Sequence, residues 1–370
     1  MKGLRLYIIT SSQLVKYGGG TDTWLSYFIP GIVNTFDEIQ ILAVEFDGAR
    51  EELQKFDFSN VKIVRLCKPS YVDMLSKYST YLTENIKSGD ILLSVGTGFQ
   101  GLVGSMVKKV YRESIIHITW SRGIPHREII ERRGTLGSLV MKQVEKRTFL
   151  SSNGVIFNGN DTYNYYHSKF QSYLPKNTVV IPNALRNDSY FQNPDPSFSS
   201  PLTIGYYGRF VKTRGFDYFV ELSKSQILKG RYKFCAWGWP EDEINKSPIK
   251  YMGKYNNDDF EVYIGSDIVA FFLPTRGIFG GGVSHSLLEA MASGRVILGW
   301  DNQILRNVVD EKCAYLAPQG NLASTEKKLL DIYARKDDLI EKSYAARQKA
   351  KNYTAERHVS MFIDFINRVY

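Results

Sequence analysis

Two loops of this chain carry residues suited to gripping an anion. In IGYYGRFVKTRG, residues 204–215, Arg209, Lys212 and Arg214 follow an apolar run, where fixed guanidinium groups can hold a diphosphate in bidentate fashion. In FGGGVSHSLLEAMASG, residues 279–294, the small residues Gly281, Gly282, Ser284 and Ser286 precede a helical pattern. A helix start offers N–H groups and a positive dipole, and small residues let a phosphate reach them. That loop has no lysine, and Arg209 and Arg214 can supply the missing charge. Glu289, about a turn inside, can accept two hydroxyl hydrogen bonds, as from a ribose diol, or can serve only as an acid that complements the helix dipole. A third loop, YGGGTDTW at 17–24, places Gly19 and Gly20 after the first apolar run, where glycine permits close approach of a ligand to the backbone. His126 and His285 stand in loops of the same kind, whereas His117 alternates within a strand pattern and is predicted to be core.

These loops need strands to carry them. LRLYIIT, EIQILAVEF, VKIVRL, DILLSVG, SIIHITW, GVIFNG and TVVIPN alternate with helical segments in the first half. LTIGYYG, YKFCAWG, IKYMG, DIVAFFLP, RVILGW and AYLAP repeat the alternation after a Pro/Ser-rich stretch, NPDPSFSSP. The pattern predicts α/β architecture with parallel sheets, and ligands then bind beyond the carboxyl ends of the strands. Two doubly wound Rossmann-like domains are expected, one over 1–190 and one over 202–355, joined by a linker over 191–201. A last helix over 356–370 is expected to pack back on the first domain.

Composition narrows the function classes. The chain has 370 residues, 43% hydrophobic and 23% charged, which suits a globular protein of two domains. It contains no apolar run of about 18 residues, the minimum for a membrane-spanning helix, and MKGLRLYIITSSQL reads as a strand rather than a secretory signal. A cytoplasmic protein is predicted. Cys67, Cys235 and Cys313 lie far apart with no CxxC or Cys/His spacing, so they are expected in the core. The net charge of +9 implies an anionic partner. Residues 101–150 hold ten Lys/Arg (108, 109, 112, 122, 127, 132, 133, 142, 146, 147) against four Glu, and the segment 126–147 mixes them with Ile, Leu, Val and Met. That mixture suits a helix lying on an anionic membrane surface, which would place the protein peripherally on the inner face; a solvated basic surface is the alternative. Nucleic-acid binding is not expected, because the charge sits on one amphipathic segment with no recognised binding module.

One motif points elsewhere. GTGFQG, residues 96–101, matches G-x-G-x-x-G between a strand and a helix, and the next strand ends at Ser121 and Arg122, where an NADP site would accept an arginine. An NADP-dependent oxidoreductase is the reading this motif carries, although it lies several strands into the domain and leaves residues 204–294 unexplained.

GRFVKTRGFDYFVEL, YMGKYNNDDFEVYIGSDIVAFFLPT and GGVSHSLLEAMASGRVILGWDNQILRNVVD, in that order, resemble the donor domain of family 4 glycosyltransferases of the GT-B fold, two Rossmann-like domains facing a cleft. The first half is similar more loosely, and the resemblance implies that 1–190 is the acceptor-binding domain and 202–355 the donor-binding domain. The resemblance implies a metal-independent enzyme that retains anomeric configuration, transferring a hexose from a UDP- or GDP-linked sugar to a hydroxyl of a glycan or lipid-linked acceptor, as in polysaccharide synthesis. It implies that Arg209 and Arg214 hold the diphosphate, although the family usually has Lys at the latter position. It places Glu289 on the ribose, the backbone N–H groups of Ser286, Leu287 and Leu288 on the phosphates, and Tyr251, Gly253 and Lys254 near the base. Gly19, Gly20, Gly282, Ser284 and His285 complete the donor set, and His126 is the nearest match to a family His that contacts the donor sugar. Gly281 departs from the family, standing where the first Glu of its E-x(7)-E motif contacts the sugar. A catalytically weakened homologue acting as a partner subunit is the reading that departure carries. No D-x-D occurs in the chain, and no cofactor or metal is expected. Charge on the departing diphosphate would be met by arginines and a helix dipole.

Overall fold

The computed structural model describes residues 3–14, 19–45, 56–68, 70–240, 247–255, 259–274 and 282–370. Each of the thirteen apolar runs forms a strand, and every strand pairing is parallel. The inner strands, such as Ile91–Val95, Ile268–Phe271 and Val296–Trp300, are buried on both faces, as crossover helices on the two sides of a parallel sheet require.

Chain contacts divide the molecule into two units. The first comprises Met1–Arg186, Gly277–Gly282 and Ala355–Tyr370. Its seven-stranded sheet has the order β3-β2-β1-β4-β5-β6-β7. The strands are β1 (Arg5–Ile9), β2 (Glu38–Ala43), β3 (Val61–Arg65), β4 (Ile91–Val95), β5 (Ile116–Ser121), β6 (Gly154–Phe157) and β7 (Asn177–Val180). The order reverses between β1 and β4, and helices α1 (Gly20–Ile32) and α2 (Phe99–Tyr111) rise after those two strands. After β5 come a short helix α3 (Pro125–Glu128) and a long one, α4 (Ile130–Ser151), broken by Gly134 at φ 63; α5 (Asn160–Phe170) follows β6.

The second unit comprises Asn187–Arg276 and Val283–Thr354. Its six-stranded sheet runs β10-β9-β8-β11-β12-β13. These are β8 (Leu202–Arg209), β9 (Tyr232–Trp239), β10 (Lys250–Tyr251), β11 (Ile268–Phe271), β12 (Val296–Trp300) and β13 (Ala314–Ala317). Helix α6 (Phe216–Ser223) follows β8, α7 (His285–Ala292) follows β11, and α8 (Asp337–Ala350) packs on α7. Segment 193–201 has no regular structure, yet it is anchored. Asn193 Nδ2 donates to Phe260 O at 2.8 Å and Ser293 Oγ at 2.9 Å, and Arg347 binds Asn193 O at 2.8 Å.

The last helix, α9 (Ala355–Val369), lies on α1 in the first unit. Gly31 makes the approach possible, since a Cβ there would meet Val359 Cγ2 at 2.4 Å. Phe362 packs edge-on to Phe28 at 4.9 Å and stacks on Trp120 at 5.7 Å. His358 accepts from Trp24 Nε1 at 2.9 Å and faces Pro182 O at 2.7 Å through Nδ1, so the ring is a neutral Nδ1–H tautomer. Burial pulls its pKa down to about 3. His117 is core as expected, fully buried between Ser94 and Ser151, and burial pulls it down to about 4. The three cysteines are buried thiols. No described helix is long and apolar enough to cross a membrane.

Candidate functional site

The second sheet reverses its order between β8 and β11, so the loops after these two strands define the crevice at which a ligand would sit. The arginine loop is one of them and the glycine-serine loop the other.

After β8 the chain turns through a single 3-10 turn, Lys212–Arg214, into α6. Gly215 caps that helix at φ +73, and any Cβ there would strike Phe272 O at 1.9 Å, so the turn is pressed against the end of β11. Arg209, Lys212 and Arg214 all expose their side chains. Their backbone is fixed from beneath by the buried Tyr206, whose hydroxyl lies 3.0 Å from Arg209 O and 3.1 Å from Arg214 O. One phenol thus sets the spacing of both arginines. Neighbouring glycines let the strand ends close up: Gly238, at φ +149, would place a Cβ 1.7 Å from Gly208 O. Gly238 N donates to Gly253 O at 3.0 Å and Tyr251 Oη donates to Gly238 O at 3.2 Å, which holds Tyr251, Gly253 and the exposed Lys254 at the end of β10.

Residues Thr275–Gly281 lie outside the described residues, and Gly281 with them. The loop resumes at Gly282, with φ +90, and Ser284 stands at the N-cap of α7. Ser284 and Ser286 share a hydroxyl contact of 2.9 Å, and neither hydroxyl caps the helix. His285 is the first helical residue. Leu288 corrects one expectation: its N–H donates to Ser284 O at 3.3 Å, so the helical ladder begins there, and the backbone N–H groups of Ser286 and Leu287 are the ones that precede it.

Glu289 is the fifth residue of α7, beyond the first turn, and is 3% exposed. A dipole-complementing surface acid would be neither so deep nor so enclosed. Its Oε2 accepts from Tyr263 Oη at 2.9 Å, and burial together with the Glu289 charge raises the Tyr263 phenol well above its usual pKa, keeping it a donor. Tyr263 in turn packs 4.4 Å from Tyr207, which stacks on Trp237 at 4.6 Å. An aromatic column spanning the sheet therefore holds one carboxylate in place. Tyr206 and Tyr263 carry no chemical signal in sequence beyond lying inside the stretches already singled out.

In the first unit His126 departs from expectation. It lies in α3, not in an exposed loop, and is 6% exposed. Its Nδ1 is bound by Glu145 Oε2, and its Nε2 meets Tyr165 Oη at 2.8 Å. Glu145, fully buried, also accepts from Tyr166 at 2.7 Å and Thr97 at 3.2 Å. With both ring nitrogens engaged, the imidazole joins α3, α4 and α5 and has no nitrogen left for a sugar. Two of the GTGFQG glycines likewise have structural reasons, since Gly96 sits at φ +124 and a Cβ on Gly101 would meet Thr148 at 2.3 Å. Gly19 and Gly20 differ. Gly19, at φ −79, is the N-cap of α1, and a Cβ on either residue would meet nothing within 4 Å.

Comparison with known proteins bears on the same region. Residues 201–335 match the family described as Glycosyl transferases group 1. No curated protein matches the sequence significantly. Among solved structures, sucrose-phosphate synthase from Thermosynechococcus elongatus is similar with a TM-score of 0.77 at 12% identity, over 99% of this chain and 98% of that one. Anabaena HepE, solved in complex with UDP, is similar at 0.74 and 12%, over 98% and 99%. A variant of S. aureus TarM, solved with fondaparinux, alpha-GlcNAc-glycerol and UDP, is similar at 0.70 and 14%, over 98% and 99%. At such identities the likeness shows the fold, which is GT-B.

Proposed function

We propose, from the premise that this chain is a GT-B glycosyltransferase carrying a group 1 domain, that it moves a sugar from a UDP- or GDP-linked donor to a hydroxyl of a glycan or lipid-linked acceptor. The observation that carries the reading is the pairing, at one sheet-order reversal, of two exposed arginines spaced by Tyr206 with a helix start and a buried Glu289. Two similar proteins were solved with UDP, which favours a uridine donor. In this reading Arg209 and Arg214 take the diphosphate together with the N–H groups of Ser286 and Leu287, and Glu289 takes the ribose hydroxyls. Ser284 and His285 line the phosphate approach, Tyr251 to Lys254 lie near the base, and Gly282 lies toward the sugar, the group to which the family resemblance assigns position 281. Gly19 and Gly20, which neither backbone strain nor packing requires, are suited to a close ligand approach from the first domain.

The departing diphosphate gains negative charge as the glycosidic bond breaks, and the guanidinium groups and helix N-terminus stabilise it without a metal. The acceptor hydroxyl attacks from the face that the leaving group vacates, and its proton passes to the departing phosphate oxygen, which retains the anomeric configuration. The test is incubation with a panel of nucleotide sugars and glycan or lipid-linked acceptors, with and without chelator, followed by assignment of the product anomer. A product whose configuration matches the donor, formed in chelator, is expected; an inverted product or a chelator-sensitive rate would overturn that mechanism.

A peripheral position on the inner membrane face is supported by α4. Leu136, Leu139 and Val140 project at i, i+3 and i+4 and are 75%, 58% and 58% exposed, and Arg133 and Arg147 are exposed on the same helix. Exposed apolar side chains on a helix that also exposes arginines suit the boundary of an anionic bilayer.

A further inference from the structure

The loop that precedes α7 meets a carboxylate that the site described above does not use. Gly282 N–H donates to Asp161, 3.0 Å from Oδ1 and 3.1 Å from Oδ2, so one donor is shared by both oxygens. Gly282 and Asp161 both belong to the first of the two units, and Asp161 is the second residue of α5. The chain that delivers Asp161 is fixed at the end of β6. Asn158, between β6 and α5, is 4% exposed; its N–H donates to Ser121 O at 3.3 Å and its Oδ1 accepts from Thr162 Oγ1 at 3.4 Å. Gly282, at φ +90, is pressed against this strand end, since a Cβ there would stand 2.4 Å from Asn158 Cγ. Glycine at 282 is thus what lets the loop come down onto Asp161.

An acid in the first turn complements the helix dipole, and a carboxylate that accepts a backbone N–H anchors a loop. Asp161 does both, and neither use requires a ligand. The order of groups along the loop adds a third use. In the proposed reading Glu289 takes the ribose and the N–H groups of Ser286 and Leu287 take the diphosphate, so a ligand that continues past its phosphates leads toward the residues before the helix, Gly282 among them. At Gly282 the backbone N–H is taken by a carboxylate, whose charge would repel a phosphate. The part of the ligand that suits this end of the loop is therefore neutral, and a sugar brings hydroxyl donors to it. An ionised carboxylate has about four lone-pair sites, so one that holds a backbone N–H can also accept from hydroxyl groups. We infer that Asp161 contacts the sugar of the donor, accepting hydrogen bonds from its hydroxyl groups. The inference rests on the glycosyltransferase reading and names a further residue of that site.

The test uses the full chain with Asp161→Asn and Asp161→Ala. Each protein is titrated calorimetrically with UDP, GDP, UDP-glucose, UDP-galactose, UDP-N-acetylglucosamine and GDP-mannose, and its melting temperature is read without ligand. Asparagine keeps an acceptor for Gly282 N–H and removes the charge, whereas alanine removes both. For the nucleotide sugar that wild type binds most tightly, Asp161→Asn is expected to lose at least tenfold in affinity, with the affinity for the bare nucleotide changed less than twofold and the melting temperature kept. Asp161→Ala is expected to lose the nucleotide sugar at least as strongly and to melt lower. Wild-type affinity of Asp161→Asn for every nucleotide sugar would make Asp161 an anchor of the loop alone and overturn the inference. An equal loss for the nucleotide and its sugar in Asp161→Asn would place the effect on the diphosphate and overturn it as well. Wild type that binds neither UDP nor GDP nor any of their sugars would instead remove the glycosyltransferase reading, and the inference with it.

Discussion

Glu289 shows how a single residue's role is set by what surrounds it. A carboxylate at the fifth position of a helix, buried and accepting from the Tyr263 phenol, is a fixed acceptor. Glu289→Ala should weaken binding of a nucleoside diphosphate at least tenfold, read by calorimetric titration; unchanged affinity would leave the residue a purely structural role. Tyr263→Phe removes a buried O–H that donates to Glu289, which should cost about 1–3 kcal/mol in urea denaturation. Tyr206→Phe is gentler on the fold, about 1 kcal/mol, since the two carbonyls it serves are only part-buried. It should nevertheless reduce nucleotide affinity several-fold, because Arg209 and Arg214 lose their common anchor. Loss of stability without loss of affinity would show that the arginine spacing is set by the turn and not by the phenol.

Two elements carry predictions of their own. For α4, replacing Leu136 and Leu139 together by Ser should change stability by no more than about 0.5 kcal/mol per residue, because both are exposed, while cutting flotation with anionic vesicles. Flotation that is unchanged, or absent in wild type at low salt, would remove the membrane assignment. For α9, the clamp is a neutral imidazole. The folded pKa values of His358 and His117, about 3 and about 4, lie below the usual 6.5, so between those limits the unfolded chain binds protons that the folded chain refuses. Their contribution to stability is therefore whole above about pH 6.5 and is lost as the pH falls toward the folded values, at up to about 1.4 kcal/mol per pH unit for each ring. His358→Gln should flatten the fall in melting temperature between pH 7 and pH 5; an equally steep fall would mean that other groups govern it.

At the scale of the whole molecule, the sheets were legible because inner parallel strands buried on both faces read as Ile/Val/Leu-rich runs, as β4, β11 and β12 do, while edge strands such as β7 and β10 were legible from the alternation with helical segments. The arginine turn and the helix after β11 were legible for a related reason: Gly and Ser before a helical period mark its start to within a residue or two. Leu288 was misjudged because the free N–H groups depend on which residue caps the helix, and a boundary shifted by one moves the set. His126 was misjudged because its partners, Glu145 and Tyr165, lie 19 and 39 residues away, and only tertiary packing brings a carboxylate and a phenol to one imidazole. Tyr206 and Tyr263 escaped notice for the same reason, each being defined by what it meets across the fold. The central claim is that the second domain binds a nucleoside diphosphate through the β8 and β11 loops. Calorimetric titration of wild type and Arg209→Ala/Arg214→Ala with UDP, GDP and NADP tests it most directly. The account predicts that UDP or GDP binds wild type and binds the double variant at least tenfold more weakly, with no binding of NADP to either; NADP bound equally by both, with neither diphosphate bound, would contradict it.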